Sequence, residues 1–216
     1  MSDSNKPQRL SRKVQLGLSA VLILVVLCFS FFYNQKNQAS LQTPAGEEIQ
    51  MTGIHYADIT VENYGTITVE LNGDKAPITV GNFVTLARNG FYDGLTFHRI
   101  IEGFMIQGGD PNGNGTGGSD QKIVGEFSQN GYDNDLSHTR GAISMARANN
   151  PDSASSQFFI VHEDSTFLDG QYAAFGYVTE GMEIVDQICA DAEPTDDNGT
   201  IPAEAQPVIA SITIRE

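Results

Sequence analysis

The amino-acid sequence predicts a mainly β domain, either a sandwich or a closed barrel, with two helices and one apolar N-terminal segment. Short apolar runs punctuated by turn residues recur from Met51 to the C-terminus, which is typical of many short strands. Two stretches instead repeat their apolar residues every three or four positions, which is the helical period. An uncharged run precedes all of these near the N-terminus. Together these observations predict one β domain behind one apolar helix.

The uncharged run from Leu16 to Tyr33, "LGLSAVLILVVLCFSFFY", is predicted to be a transmembrane signal anchor. As a helix it would measure roughly 27 Å, close to the ~30 Å hydrocarbon core of a bilayer. Four basic residues precede it and only Lys36 follows closely, so the positive-inside rule keeps the N-terminus in the cytoplasm. We therefore expect a single-pass protein of the cell membrane whose domain lies outside the cytoplasm. Its predicted parts are a basic cytoplasmic N-terminus over 1–15, the anchor over 16–33, a flexible linker over 34–50 and one domain over 51–216.

A cleaved signal peptide is the main alternative for this run, and the sequence leaves cleavage of the anchor open. The run is long for the apolar part of a signal peptide, and the following "NQAS" is a poor cleavage site. Cys28 suggests a lipoprotein cysteine, but Leu27 before it is larger than the residue such processing takes. A buried core helix would show a polar stripe, which this run lacks.

Charge and cysteine content exclude two further classes of protein. The chain has 12 Lys and Arg against 27 Asp and Glu, and the basic residues concentrate before residue 37. The remainder carries a net charge of about −19, which lacks the basic footprint that nucleic-acid binding requires. Cys28 and Cys189 are the two cysteines, and their placement predicts no disulfide framework. The core alone must therefore stabilise the domain.

The predicted elements of the domain follow in chain order. The first helix lies in "KAPITVGNFVTLARNG", where Val80, Phe83, Val84 and Ala87 share one face, with a proline near its start and a glycine past its end. The second lies in "EGMEIVDQICA", whose apolar residues stand three apart. The predicted strands are "YADITVEN", "GTITVELNGD", "LTFHRII", "GFMIQGG", "GAISMA", "SQFFIVH", "AAFGYV" and "PVIASITI".

The glycine-rich loop from Gly108 to Gln121, "GGDPNGNGTGGSDQ", matches two ligand motifs but has the context of neither. Its glycines fit G-x-G-x-x-G, yet the "QKIVGEF" that follows is strand-like or irregular, whereas a dinucleotide-binding turn opens a helix. From Asp110 it fits the start of a D-x-N-x-N-G calcium loop, yet the twelfth position holds Gln121 in place of a bidentate glutamate. The hypothesis of a calcium-dependent surface protein would depend on this loop alone.

The usual catalytic motifs are absent from the sequence. It contains no H-E-x-x-H, C-x-x-C or G-x-S-x-G. Four histidines, His55, His98, His138 and His162, stand in or beside apolar runs, where a hydrogen-bonded structural role is the common outcome. We therefore expect no metal and no cofactor.

Arg99 is the ionisable residue whose position invites a functional interpretation. A mid-strand arginine usually lies on the solvent face, which is the structural alternative here. In "FHRIIEGFMIQGG", however, a tight turn at Glu102 and Gly103 would bring Arg99 alongside Met105 and Gln107 on the next strand. An arginine over an apolar pocket can bind a carbonyl oxygen or an amide nitrogen while the pocket holds an apolar ring.

The blocks "FHRIIEGFMIQGGD", "NGTGG", "GAISMARA", "SSQFFIVH" and "FLDGQYAAFG" resemble, in order and spacing, the signature blocks of the cyclophilin family of peptidyl-prolyl isomerases. The resemblance runs from about Ile54 to the C-terminus. It implies a mainly β fold, a closed eight-stranded antiparallel barrel capped by two helices, with a proline-binding groove on its outer face. It also implies that the glycine-rich loop is the rim of the groove, with Gly115 near the substrate.

The resemblance implies a set of site residues. The residues that match the family's catalytic positions are Arg99, Phe104 and Gln107. Those at its substrate-binding positions are Met105, Gly115, Ala146, Arg147, Ala148, Gln157, Phe159, Phe167, Leu168 and Tyr172.

Three of these positions depart from well-studied members. Phe167 replaces a tryptophan whose indole N–H helps those members to hold cyclosporin, so weakened inhibition by that drug is expected. Tyr172 replaces a histidine but can still line the pocket. Arg147 replaces a frequent asparagine and is expected to add a charge near the groove.

The function implied is a membrane-anchored, monomeric isomerase that acts on X–Pro bonds of unfolded or partly folded proteins outside the cytoplasm. Its partners would be proline-containing polypeptides and, through the N-terminal helix, the membrane, with no nucleic acid. The alternative is a proline-peptide binding module or holdase chaperone on the same fold without catalysis. Retention of Arg99 favours the enzyme, because binding alone would tolerate its loss better.

Overall fold

The computed structural model describes residues 49–215, which belong to one compact unit. The predicted cytoplasmic segment, the anchor and all but the last two residues of the linker lie outside the described residues. Within the described range, no helix combines the length and apolar character needed to cross a bilayer.

Eight strands and two helices make up the described part of the chain, as the sequence predicted. In chain order they are β1 (Ile54–Val61), β2 (Gly65–Asn72), α1 (Pro77–Arg88), β3 (Phe97–Ile101), β4 (Met105–Gly108), β5 (Ala142–Met145), β6 (Phe158–Val161), β7 (Ala174–Glu180), α2 (Met182–Asp191) and β8 (Ile209–Arg215). Every strand pair is antiparallel, and the order across the sheet is β3-β4-β6-β5-β7-β2-β1-β8.

The sheet curls until its two edge strands meet near one end. Thr96, just before β3, forms an isolated antiparallel bridge with Val208, just before β8. Beside this bridge the Phe97 N–H donates to Pro207 O at 2.9 Å, and the Ile209 N–H donates to Leu95 O at 2.7 Å. The eight strands therefore form a curled half-barrel. Among residues 49–215 its edge strands β3 and β8 form no ladder with each other and approach only near this isolated bridge, which is less than the closed barrel that the resemblance implies.

Helix α1 covers the core along β8 and β2. The four residues that the sequence placed on one face, Val80, Phe83, Val84 and Ala87, are all buried. Phe83 packs at 5.3–5.5 Å between ring centroids against Tyr92, Phe158 and Phe175, and such aromatic contacts add to simple area burial.

The N-terminus of α1 is capped from a distant part of the chain. Ala76, its N-cap residue, supplies no side-chain hydrogen bond. The buried carboxylate of Glu126 instead accepts from Ile78 N at 3.1 Å and from Thr79 N at 2.7 Å. A carboxylate here also complements the positive end of the helix dipole.

Candidate active site

Strands β4 and β6 present different side chains on their two faces, because successive residues of a strand alternate in direction. Ile106, Phe158 and Ile160 belong to the main core inside the curled sheet. Met105 and Phe159 belong instead to a second, smaller apolar cluster on the outer face. The second cluster, called here the outer cluster, comprises Met105, Ala142, Phe159 and Val161 with Ile101, Phe104, Ala146, Leu168, Tyr172 and Tyr177. It contains six of the predicted site residues.

Arg99 stands at the edge of this outer cluster. It pairs in register with Gln107 across the β3–β4 hairpin. The hairpin loop holds three residues, Glu102 to Phe104, one more than the predicted Glu102-Gly103 turn, which would have paired Arg99 with Ile106. Its Nη1 group lies 3.1 Å from Gln107 Oε1 and 3.8 Å from Met105 Sδ, and its Nε–H donates to Asn198 O at 2.7 Å. The guanidinium therefore has an amide on one side and the apolar cluster on another.

Two glutamines continue the polar chain from Arg99. Gln107 accepts from Arg99 through its carbonyl oxygen, and its Nε2 donates to Gln157 Oε1 at 2.9 Å. Gln157 Nε2 donates in turn to Gly117 O at 2.8 Å. Each amide is thus used at both ends, which holds the orientation of Gln107 and, through it, that of Arg99.

The charge of Arg99 is partly withdrawn from water. Burial lowers the pKa of Arg99, while Tyr172 and Asp196 act in the opposite direction. An arginine remains protonated at neutral pH in spite of such a shift. A half-buried, positively charged donor is stronger than one in bulk water, because the lower local dielectric screens it less.

The turn that carries Phe104 is attached to its neighbours. Gly103 adopts φ 77°, which suits glycine, and its N–H donates to His162 Nδ1 at 2.8 Å. The backbone N–H of His162 donates to Phe104 O at 2.8 Å, and the ring Nε2 of His162 lies 3.1 Å from Asp186 Oδ1. Phe104 is thereby held beside Phe167, whose ring is 5.7 Å away and 66% exposed.

Residues Ala146 to Ala148 run along a cleft of about 340 Å³ that Gln107, Gly115 and Gln157 also line. Two of the three amides in this run are already used, since Ala146 N–H donates to Gln157 O at 2.9 Å and Ala148 N–H to Ser153 Oγ at 3.0 Å. Among residues 49–215 the Arg147 N–H has no such acceptor, which leaves it available to a peptide.

Arg147 lines the same cleft, and neighbouring groups hold its guanidinium in place. Its guanidinium carbon lies 4.6 Å from the centroid of the Tyr172 ring and 5.2 Å from that of Phe127. Its nitrogens donate to backbone carbonyls of Gln171 and Ala148. The charge therefore lies beside the groove, as expected, and two aromatic faces and two carbonyls hold the guanidinium there.

Asp110 shapes the glycine-rich rim from within. Its carboxylate, 1% exposed, accepts from Asn112 N at 2.8 Å, Asn114 N at 3.1 Å and Gly115 N at 2.6 Å. No helix opens directly after the loop, and the chain is irregular from Gln121 until the short 3-10 helix Ser128–Asn130. Both carboxylate oxygens are thus occupied by backbone amides, and the loop has the geometry of neither ligand motif.

A histidine network behind the pocket was not foreseen from the sequence. His138 Nδ1 lies 2.8 Å from Asp169 Oδ1 and its Nε2 lies 3.0 Å from Ser144 Oγ, an order of groups similar to a Ser–His–Asp triad. Ser144 and His138 are fully buried, so no substrate carbonyl can reach the hydroxyl. The His138 ring instead stacks at 6.0 Å on Phe159 and supports the floor of the outer cluster.

The structural roles expected for the histidines hold for three of the four. His55 bonds to Thr52 O, and His138 and His162 form the contacts described above. His98 is buried, and neither ring nitrogen has a hydrogen-bond partner among the described residues. Within residues 49–215, no group of three or more His, Cys, Asp or Glu side chains could hold a metal ion.

Comparison with known proteins defines the class to which this fold and site belong. Residues 56–214 match the family of cyclophilin type peptidyl-prolyl cis-trans isomerases. The chain belongs to this family, and the enzyme class predicted from the sequence is confirmed.

Curated relatives carry the same activity in their names. The chain is 46% identical over 144 residues to a peptidyl-prolyl cis-trans isomerase of Helicobacter pylori strain J99, covering 66% of this chain and 84% of the relative. It is 50% identical over 123 residues to peptidyl-prolyl cis-trans isomerase B of Bacillus subtilis strain 168, covering 57% and 82%.

Solved structures show the same fold. A cyclophilin type isomerase of Cryptosporidium parvum superposes with a TM-score of 0.67 at 32% identity, covering 76% of this chain and 99% of that one. The structure of that protein in the presence of the dipeptide Ala-Pro superposes with a TM-score of 0.66, covering 74% and 99%.

Proposed function

We propose that the domain accelerates cis–trans isomerisation of X–Pro bonds in unfolded or partly folded polypeptides outside the cytoplasm. Arg99 carries this proposal, because its guanidinium lies between the polar chain of Gln107 and the apolar surface of Met105. The Cryptosporidium relative, whose structure was solved in the presence of the dipeptide Ala-Pro, supports a proline-containing ligand for this domain.

The chemistry of the reaction suits this arrangement. An X–Pro amide resists rotation with a barrier of about 18–20 kcal/mol and isomerises unaided in roughly 10–100 s. Conjugation is lost in the twisted transition state, and the prolyl nitrogen becomes pyramidal with a basic lone pair. A guanidinium N–H aimed at that nitrogen binds the twisted state more strongly than the planar one, which is the condition for catalysis.

The magnitude of this effect follows from the charge of Arg99. A hydrogen bond from a charged donor contributes about 1.5–3 kcal/mol, which corresponds to roughly 10- to 150-fold in rate. The outer cluster contributes by holding the proline ring while the preceding carbonyl rotates. No nucleophile is needed for this reaction, since no covalent bond is made or broken.

The site residues divide into three proposed roles. Arg99 acts as the donor, Gln107 holds its orientation, and Phe104 closes the pocket at the hairpin turn. Met105, Phe159, Phe167, Leu168 and Tyr172 would contact the proline ring and the residue next to it, while Gly115, Ala146, Arg147, Ala148 and Gln157 would line the path of the peptide backbone. The enzyme is proposed to act as a monomer.

The membrane anchor over residues 16–33 and the extracytoplasmic location are part of the proposal. The uncharged run and the basic residues before it support them. Protease added to intact cells should remove the domain, and a fully protected domain would contradict the topology. Mass determination of the membrane-bound form would show whether the anchor is retained.

A proline-limited refolding assay with the full chain tests the activity. We expect the slow phase to accelerate in proportion to enzyme concentration. Binding of an Ala-Pro peptide without acceleration would instead establish the proline-binding module or holdase on the same fold.

A further inference from the structure

Arg147 and Tyr172, two positions at which the chain departs from the familiar cyclophilin pattern, contact each other. The guanidinium carbon of Arg147 lies 4.6 Å from the centroid of the Tyr172 ring and 5.2 Å from the centroid of the Phe127 ring. Both distances are within the ~6 Å range of a cation–π interaction.

The donors of Arg147 connect two separate segments of the groove wall. Its Nε and Nη2 donate to Gln171 O at 3.0 and 2.8 Å, and its Nη1 donates to Ala148 O at 2.9 Å. Ala148 belongs to the segment after β5, whereas Gln171 directly precedes Tyr172 ahead of β7. One side chain therefore joins the backbone-binding edge of the groove to the segment that carries the pocket wall.

Tyr172 transmits this arrangement to the pocket. Its ring meets Phe159 at 6.0 Å and 83°, and both residues belong to the outer cluster. Phe159 is held from behind by His138, whereas Tyr172 is held by Arg147. The distance between two pocket walls thus depends on the Arg147 contact.

We propose that Arg147 is a positioning residue for the proline pocket: it holds the Tyr172 ring against Phe159 and thereby sets the width of the pocket. Its charge serves this contact and not an interaction with charged peptide residues. The inference rests on the proposed function, because it assigns Tyr172 to the wall that contacts the proline ring.

A wall that contacts the ring in the cis, trans and twisted states alike contributes uniform binding, which changes KM more than kcat. The expected signature of losing Arg147 is therefore a raised KM with a nearly unchanged kcat. Loss of Arg99 is expected to give the opposite pattern, which separates the two roles.

A double-mutant cycle in the full chain tests the proposal, using Arg147→Asn, Tyr172→His and the double variant with an uncharged Ala-Pro peptide. We expect each single change to raise KM about fivefold with kcat within twofold of native, because one side of the wall is released. The double variant should be no worse than the poorer single variant, since both remove the same contact. If the KM of the double variant is instead raised by the product of the two single increases, the proposal is overturned.

Peptide charge distinguishes positioning from direct recognition. With Arg147→Asn, we expect the same change in KM for Ala-Pro peptides flanked by alanine, glutamate or lysine. A change confined to the glutamate peptide would overturn the proposal in favour of a charge contact. Arg215→Ala is the matched control, because Arg215 also donates three hydrogen bonds, to Asp58 and Thr68, but lies on β8 outside the site, and its KM should stay native.

A spectroscopic readout keeps the inference separate from catalysis. The ring proton resonances of Tyr172 should shift in Arg147→Asn and remain native in Arg215→Ala, whether or not the chain isomerises proline. If native protein lacks activity but Tyr172 shifts as expected, the proposed function fails while the contact stands. Unchanged Tyr172 resonances in Arg147→Asn would overturn the positioning role directly.

Discussion

Replacing Gln107 by alanine removes the central link of the hydrogen-bond chain that orients Arg99. The change deletes the acceptor 3.1 Å from Arg99 Nη1 and the donor 2.9 Å from Gln157 Oε1. Arg99 keeps its bond to Asn198 O, so we take the lower end of the range for a charged hydrogen bond, about 1.5 kcal/mol. If that energy is lost from the transition state, kcat/KM falls about tenfold.

Gln107→Glu provides the informative comparison. A carboxylate of nearly the same shape would bind the guanidinium more strongly and compete with the twisted prolyl nitrogen, so kcat/KM should fall further than in Gln107→Ala. Both variants are measured in a peptide isomerisation assay alongside Gln187→Ala, which removes an exposed glutamine that bonds only within α2. Native kcat/KM in Gln107→Ala, or a Glu variant more active than the Ala variant, would refute the orienting role.

Three further predictions concern stability and inhibitor binding. Glu126→Ala should lower the free energy of unfolding by about 3 kcal/mol in urea titration, because two buried amides of α1 lose a charged acceptor; a loss below about 1 kcal/mol would argue against the cap. Burial lowers the pKa of His138 below its ordinary 6.5, so the unfolded chain binds this proton more readily. The stability contributed by neutral His138 is therefore present above pH 6.5 and is lost as pH falls, at up to about 1.4 kcal/mol per pH unit. The free energy of unfolding of His138→Gln should fall less steeply than that of native protein between pH 7 and 5. Identical slopes of unfolding free energy against pH would contradict this assignment. Phe167→Trp should raise cyclosporin affinity by up to about tenfold through one added N–H donor, read from the fluorescence of the only tryptophan; unchanged affinity would show that the missing indole does not limit binding.

The elements that the sequence predicted well are those whose signal is local. The face of α1 could be read from Val80, Phe83, Val84 and Ala87 because a helix brings residues three and four apart together. The β3–β4 hairpin was also predicted, although its loop holds one residue more than the expected turn and so pairs Arg99 with Gln107 in place of Ile106. Where residues close in sequence are also close in space, the periodicity of the sequence was sufficient to predict the element.

The contacts that could not be predicted join residues far apart in the chain. The cap of α1 comes from Glu126, 47 and 48 residues beyond the amides it accepts from, so no capping motif appears in the sequence around Ala76. Asp169 lies 31 residues from His138, and only the curled sheet brings them together. The contacts of Arg147 with two aromatic rings depend in the same way on the segment before β7, which explains why they could not be predicted.

The most direct test of the central claim is the isomerisation rate of Arg99→Ala and Arg99→Lys on an Ala-Pro peptide at saturating enzyme, measured by NMR exchange. If the guanidinium stabilises the twisted nitrogen, the rate in the bound state falls roughly 10- to 150-fold in Arg99→Ala, while the dissociation constant of the peptide changes less than threefold. Arg99→Lys should recover part of the rate, because its ammonium is a donor without the same reach or hydrogen bond to Asn198 O. A bound-state rate in Arg99→Ala equal to that of native protein would contradict the account.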